Sequence, residues 1–507
     1  MTNRSLFAQS LRAQIFCGLL IAAATLGLTA CGPYYYKFPE FTFANRPIPP
    51  SQLANRVMVS VTINGGTTGS LQILDALRDI RSNVQNTRTS FSVSGYASGF
   101  PNLILSFPAE ITGYVYSNTL GDVQIINYGK ESTSGSAGSL PAKSTGLAVP
   151  PTFGHIYSAE ESIGELVIVD KISGGTYGLN IPNVFQVVVN QGDTVVLAMV
   201  RNSNVVYRAI KLNNGQYPTA VAAIAAIGAV DCTPLNNPVY CAIPVNTGTA
   251  TNPFDRPTNA YFSLDGTAVY LLNCGQECGG STSSVTYLDP GALQVNSYSQ
   301  FTTPAQQNPN AFLRNVPVPG GATAAVSNGT TLYISGQQLQ PDGLFAGNLS
   351  TINLATSSVT GKYSISDGTH TKMLFADDNT LWIGSQFCAT GERAHQASLG
   401  VTTQAANYNC LTRFDMGALT ASIVPFVTQG SATAVVPYPN TNQNQYYYGD
   451  LTGLCWVQTF HKVYTAYGGQ VHVFNTATGA EINNVNVVVQ GTALDVAYMD
   501  AITDADN

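Results

Sequence analysis

One phrase recurs eight times along this chain: four to six residues of largely alternating apolar character, then usually Asp or Asn, then a turn. It appears as Ser70–Asp75, Asp122–Asn127, Glu165–Asp170, Val205–Leu212, Ser284–Asp289, Asn348–Asn353, Leu411–Asp415 and Gln470–Asn475. The last residues of successive phrases lie 52, 43, 42, 77, 64, 62 and 60 positions apart. Alternation of period two marks β-strands, and a convincing helical period is almost absent from residue 55 onward. A short β unit that repeats at this spacing cannot cover its own apolar faces. It must stack against copies of itself.

Two further strands precede most of these phrases. The clearest pair is Asn259–Asn273, where Asp265-Gly266 supplies a tight turn between two apolar runs. Thr323–Ser335 and Met373–Ile383 read the same way. A four-stranded propeller blade takes about 40–50 residues, so the first three intervals fit bare blades and the later ones blades with inserted loops. The strand, Asp-Gly turn, strand and closing Asp or Asn resemble the YVTN-type β-propeller family over roughly residues 55–500. The resemblance implies an all-β fold, a single β-propeller of four-stranded blades. Eight phrases give eight blades; the third has only a short partner near Gly154–Ser158, and without it there are seven. Val57–Val61 begins a blade that lacks its first strand, and Thr492–Met499 is a strand with no blade to follow. The two predict ring closure, the C-terminal strand completing the N-terminal blade and removing the open sheet edges. Two β-sandwiches are the competing architecture, but they require no such period.

The N-terminus specifies a compartment. Residues 1–30 carry Arg4 and Arg12, no acid, and an apolar run from Ile15 to Leu28, too short to span a bilayer comfortably. The run ends in Leu28-Thr29-Ala30-Cys31, which resembles the lipobox of bacterial lipoproteins. That resemblance implies cleavage before Cys31, lipidation of Cys31, and a protein held to the cell envelope by its acyl chains. Gly32 is not the Asp that marks inner-membrane retention in some lipoproteins, so the outer membrane is favoured. Residues 31–54 read as the lipidated Cys and a Pro- and Tyr-rich tether, 55–500 as the propeller and 501–507 as an acidic tail.

Only 10% of residues are charged, against about 25% in soluble proteins generally. The surface must therefore be Ser, Thr, Asn, Gln, Gly and Tyr. With 21 Lys+Arg against 28 Asp+Glu and no basic cluster, a nucleic-acid partner is excluded. In an oxidising envelope the cysteines after Cys31 read as disulfides, paired locally as Cys232–Cys241, Cys274–Cys278 and Cys388–Cys410, with Cys455 left as a buried thiol. The Cys274-x-x-x-Cys278 spacing lacks further ligands for zinc, and no Asp-x-Asp-x-Asp calcium loop, Cys-x-x-Cys-His haem site or other cofactor motif is present. No metal or cofactor is expected.

Nucleophile-elbow, zinc-helix, Walker and dinucleotide patterns are also absent. Two inserts carry the best candidate binding residues. One, between Cys388 and Cys410, combines an acid, a fixed cation and a titratable base in Glu392, Arg393 and His395. The other, Pro437–Leu454, is amide-rich and holds Tyr446, Tyr447 and Tyr448, residue types suited to recognising a protein or glycan. These features favour a lipid-anchored binding or scaffold module. A hydrolase of the propeller-lactonase type is the alternative, and a structural surface or adhesion protein a third. A channel in which acid, base and cation converge marks the enzyme; a channel of small and amide residues marks the binder.

Overall fold

The computed structural model describes residues 47–81, 91–213, 215–251, 253–294, 308–401, 408–425, 448–458, 460–482 and 487–502. Cys31, Tyr446 and Tyr447 lie outside them. Residues 49–507 make one compact unit, and among the described residues no helix is long and apolar enough to cross a membrane.

That unit is a closed β-propeller of eight antiparallel blades. Blade 2 shows the standard order from the channel outward: Pro101–Phe107, Thr112–Ser117, Asp122–Asn127 and Ser132–Ser139. Every recurring phrase of the sequence is the third strand of a blade, from Thr68–Asp75 in blade 1 to Gln470–Asn475 in blade 8. The weak third repeat is complete, with inner strand Gly146–Ala148 and second strand His155–Glu160, so the count is eight. In blades 1 and 8 the described residues beyond the third strand pair through isolated bridges, Gln72 to Ser92 and Asp75 to Ile80 in blade 1, Val471 to Val487 and Phe474 to Glu481 in blade 8. The long interval after Leu212 is explained by an insert in blade 4. It carries the helix Ala220–Ile227, capped by the Thr219 hydroxyl and ended by Gly228 in the left-handed region, and a fifth strand, Asp231–Thr233.

The core is not one mass but a circle of apolar seams, one between each pair of neighbouring blades. Leu166, Ile168, Val196 and Ala198 fill the seam of blades 3 and 4, and Trp382, Leu411, Val463 and Phe474 that of blades 7 and 8. Each blade packs on both faces, so its middle strands are buried continuously; Val269–Asn273 and Ser284–Leu288 have no exposed residue. Outer strands such as Ser358–Ser364 meet solvent and are mostly Ser, Thr, Gly and Lys instead.

Closure follows the sequence expectation. Thr492–Tyr498 pairs antiparallel with Arg56–Ile63 and becomes the inner strand of blade 1. Arg56, buried at 3% exposure, locks the joint. Its guanidinium bonds Asp500 through Nε and Nη2, at 3.0 and 2.6 Å, and reaches Glu131 Oε1 and the Tyr128 carbonyl of blade 2 through Nη1. Ser51 donates to the same Glu131, and Leu53 is buried, so the end of the expected tether already packs on the ring. The three expected disulfides are present, and Cys455 is a buried free thiol.

Candidate functional site

Inner strands of a propeller converge on a central channel. On one face of this ring, the starts of inner strands and the ends of second strands enclose a half-open cavity of about 510 Å³. Inner strands of six blades contribute to it: Leu494, Asn102 and Leu103, Gly146 and Leu147, Gln186, Thr371 and Lys372, and Thr452. Phe100, Tyr116, Ser144, Thr145 and Gln386 complete the wall.

Its chemistry is amide, hydroxyl and apolar around a single ammonium. Lys372 Nζ lies 3.3 Å from Asp495 Oδ1 on the strand that closes the ring. Asp495 is fully buried and faces backbone, accepting from the amides of Ile104 at 2.9 Å and Val496 at 3.0 Å. Burial raises its pKa from the ordinary value, against the opposing pull of Lys372 and the two amides. Asp495 therefore orients the ammonium, and the half-exposed Lys372 keeps donors for the cavity. The other walls are fixed by their own bonds. Asn102 Oδ1 accepts from Asn118 N at 3.1 Å, the Tyr116 hydroxyl accepts from Ser144 N at 2.7 Å, and Thr145 Oγ1 donates to the Ala159 carbonyl at 3.0 Å. Gly146 is required where it stands, because a Cβ there would come within 2.8 Å of the Gln186 Cα of the neighbouring inner strand.

Behind Ser144 and Thr145 stands Glu160, with no exposed surface. One carboxylate oxygen accepts from Ala142 N at 2.7 Å, and the Ser158 hydroxyl lies close by. Burial pushes its pKa up to about 7. Glu277, on the turn braced by the Cys274–Cys278 disulfide, accepts from the amide and side chain of Gln337 and is likewise pushed up to about 7 by burial. On the opposite face, a polar network ties blades 3 and 4. His155 bridges Asp193 at 2.5 Å and the Tyr240 hydroxyl at 3.1 Å, and Tyr240 donates to Asp170 at 2.7 Å. Burial opposes ionisation of Asp170, but the Lys211 ammonium, the Ser173 amide and Tyr240 outweigh it and hold the carboxyl below its usual range.

The sequence candidates fall elsewhere. Glu392, Arg393 and His395 occupy one short helix, Glu392–Ser398. Arg393 is buried and forks onto Asp342 at 2.9 Å, with further bonds to the Phe345 and Leu344 carbonyls, so it fastens the insert to blade 6. Glu392 accepts from Gln396, and His395 is exposed. Tyr448 stacks on His472 with ring centroids 4.0 Å apart and donates to Glu481 at 2.5 Å, filling blade 8 as a packing residue. The channel residues were missed because each is an ordinary Asn, Gln, Thr or Lys near a strand end; only the ring brings them together.

No protein-family model and no curated protein matches this chain. Among solved structures, it is similar to hydrazine synthase of Kuenenia stuttgartiensis, at 13% identity and a TM-score of 0.43 over 78% of this chain and 99% of that one. It is also similar to the dihydro-heme d1 dehydrogenase NirN, at 12% identity and 0.48 over 90% and 79%. A Bacteroides fragilis protein whose assignment as a 6-phosphogluconolactonase is provisional matches at 12% identity and 0.42 over 88% and 97%. At these scores the likenesses bear on neither ligand nor chemistry.

Proposed function

We propose that the protein is a cell-envelope binding module, held to the outer membrane by lipid on Cys31, whose propeller receives a polar partner at the mouth of its channel. The observation that carries this reading is the composition of the mouth: amides and hydroxyls from blades far apart in sequence, apolar patches, and one oriented ammonium. Such a wall exchanges hydrogen bonds with a polyhydroxylated or peptide-like ligand. A glycan is the better fit, because its hydroxyls match amide and hydroxyl groups while its ring faces lie on Phe100, Leu103 and Leu147. The lactonase-type alternative needs an acid, a base and a cation at one point. Among the described residues lining the mouth there is one cation, and its acid is turned into the backbone.

The test is retention of envelope polysaccharide fragments by the purified ring, residues 49–507, compared with a Gln186→Ala/Gln386→Ala variant. The expected result is saturable binding by the native ring and about tenfold weaker binding by the variant at an unchanged melting temperature. Ring-opened lactone appearing in the native sample would overturn it in favour of the enzyme. For the anchor, Cys31→Ala is expected to abolish acyl labelling and release the protein from membranes.

A further inference from the structure

On the face away from the channel mouth, the turn between the inner and second strands of blade 7 carries Asp377 and Asp378. The equivalent turn of blade 8 carries His461. His461 Nδ1 lies 2.7 Å from Asp377 Oδ2 and 2.8 Å from Asp378 Oδ2, and the three atoms all lie within 4.8 Å of one another. We propose that Asp377, Asp378 and His461 form a divalent transition-metal site that clips blades 7 and 8 together.

One imidazole nitrogen has at most one proton to share between two carboxylates. A divalent ion in its place satisfies all three donors and removes the repulsion between the two acids. The spacing suits an ion: around a metal with bonds of about 2.1 Å, neighbouring ligands of an octahedron lie about 3.0 Å apart. His461 stands at such a neighbouring distance from each carboxylate, so the three side chains would fill three positions of an octahedron, and the exposure of His461 leaves the others to water. Both carboxylates are oriented from outside the triad. Trp456 Nε1 donates to Asp377 Oδ1 at 3.2 Å, and Thr476 Oγ1 donates to Asp378 Oδ2 at 2.7 Å. Outer groups of this kind fix ligand direction in metal centres. One imidazole with two carboxylates selects manganese through zinc: calcium and magnesium avoid imidazole, and soft ions need thiolate. Arg413, bonded to the Thr476 and Ala477 carbonyls, stands behind Asp378 and moderates the affinity.

Trp456 makes the site visible. Titrating the tag-free ring with Ni²⁺ is expected to quench Trp456 emission to saturation at one ion per chain, and Zn²⁺ to reverse the quench by competition. Zn²⁺ is also expected to raise the melting temperature, since an ion that binds only the folded state stabilises it. His461→Ala and Asp378→Asn are each expected to weaken Ni²⁺ binding at least about tenfold. Trp456→Phe is expected to lose the optical signal but keep the Zn²⁺-dependent melting shift. The proposal is overturned if His461→Ala binds Ni²⁺ as the native ring does, if quenching does not saturate, or if Mg²⁺ competes as well as Zn²⁺.

Discussion

Glu160 is a fully buried acid held by the Ala142 amide, with the Ser158 hydroxyl beside it in the strand. Its pKa is raised from about 4.5 when unfolded to about 7 when folded, through burial. The folded chain therefore holds this proton more tightly than the unfolded one. The stability that results is complete below pH 4.5 and is lost as pH rises through 7. Glu160→Gln makes the neutral form permanent. The variant is expected to melt higher than the native protein at pH 8, with the difference closing toward pH 4.5. Melting curves across that range decide it; a gap independent of pH would refute the burial argument. None of this was legible from the sequence, where Glu160 is one of several acids in a patch with Glu161, Glu165 and Asp170. Partners separate the two buried acids, Glu160 and Asp170: burial raises both, but Lys211, the Ser173 amide and Tyr240 reach only Asp170 and lower it.

Strands with apolar alternation were readable, and strands without it were not. All eight third strands and the Asp265-Gly266 hairpin were found, since both faces of those strands press on neighbouring blades. The outer strand of blade 2, Ser132–Ser139, reads Ser-Thr-Ser-Gly-Ser-Ala-Gly-Ser and is half exposed, so nothing in its pattern marks it as a strand. The helix Ala220–Ile227 escaped notice for the opposite reason: its unbroken Ala, Val and Ile give no polar stripe to set a period. Local cysteine spacing did succeed, because strands joined by a short loop keep their ends close. The Cys388–Cys410 bridge spans 22 residues and closes the insert that Arg393 pins to blade 6. Replacing both cysteines by serine is expected to destabilise the protein by roughly 2–4 kcal/mol. Denaturant unfolding is the check, with limited proteolysis expected to cut first within residues 389–409.

The ring as a whole explains why the sites were hidden. The cavity draws on inner strands of six blades, and the proposed metal ligands Asp378 and His461 are 83 positions apart, so no local motif can display either. Arg56 acts at this scale. It joins Glu131 and Asp500, partners 75 and 444 positions away, and removing its guanidinium leaves two largely buried carboxylates without their shared cation. Arg56→Met is expected to cost about 3–5 kcal/mol, the usual result of breaking a buried ion pair from one side. Urea unfolding with an unchanged midpoint would contradict this. The pairing of Thr492–Tyr498 with Arg56–Ile63 also sets an order of events. Blade 1 is begun early and finished late, so Arg56–Ile63 keeps an unpaired edge until Thr492–Tyr498 has been synthesised. A chain cut before Thr492 is therefore expected to show a sticky margin rather than close into a smaller propeller.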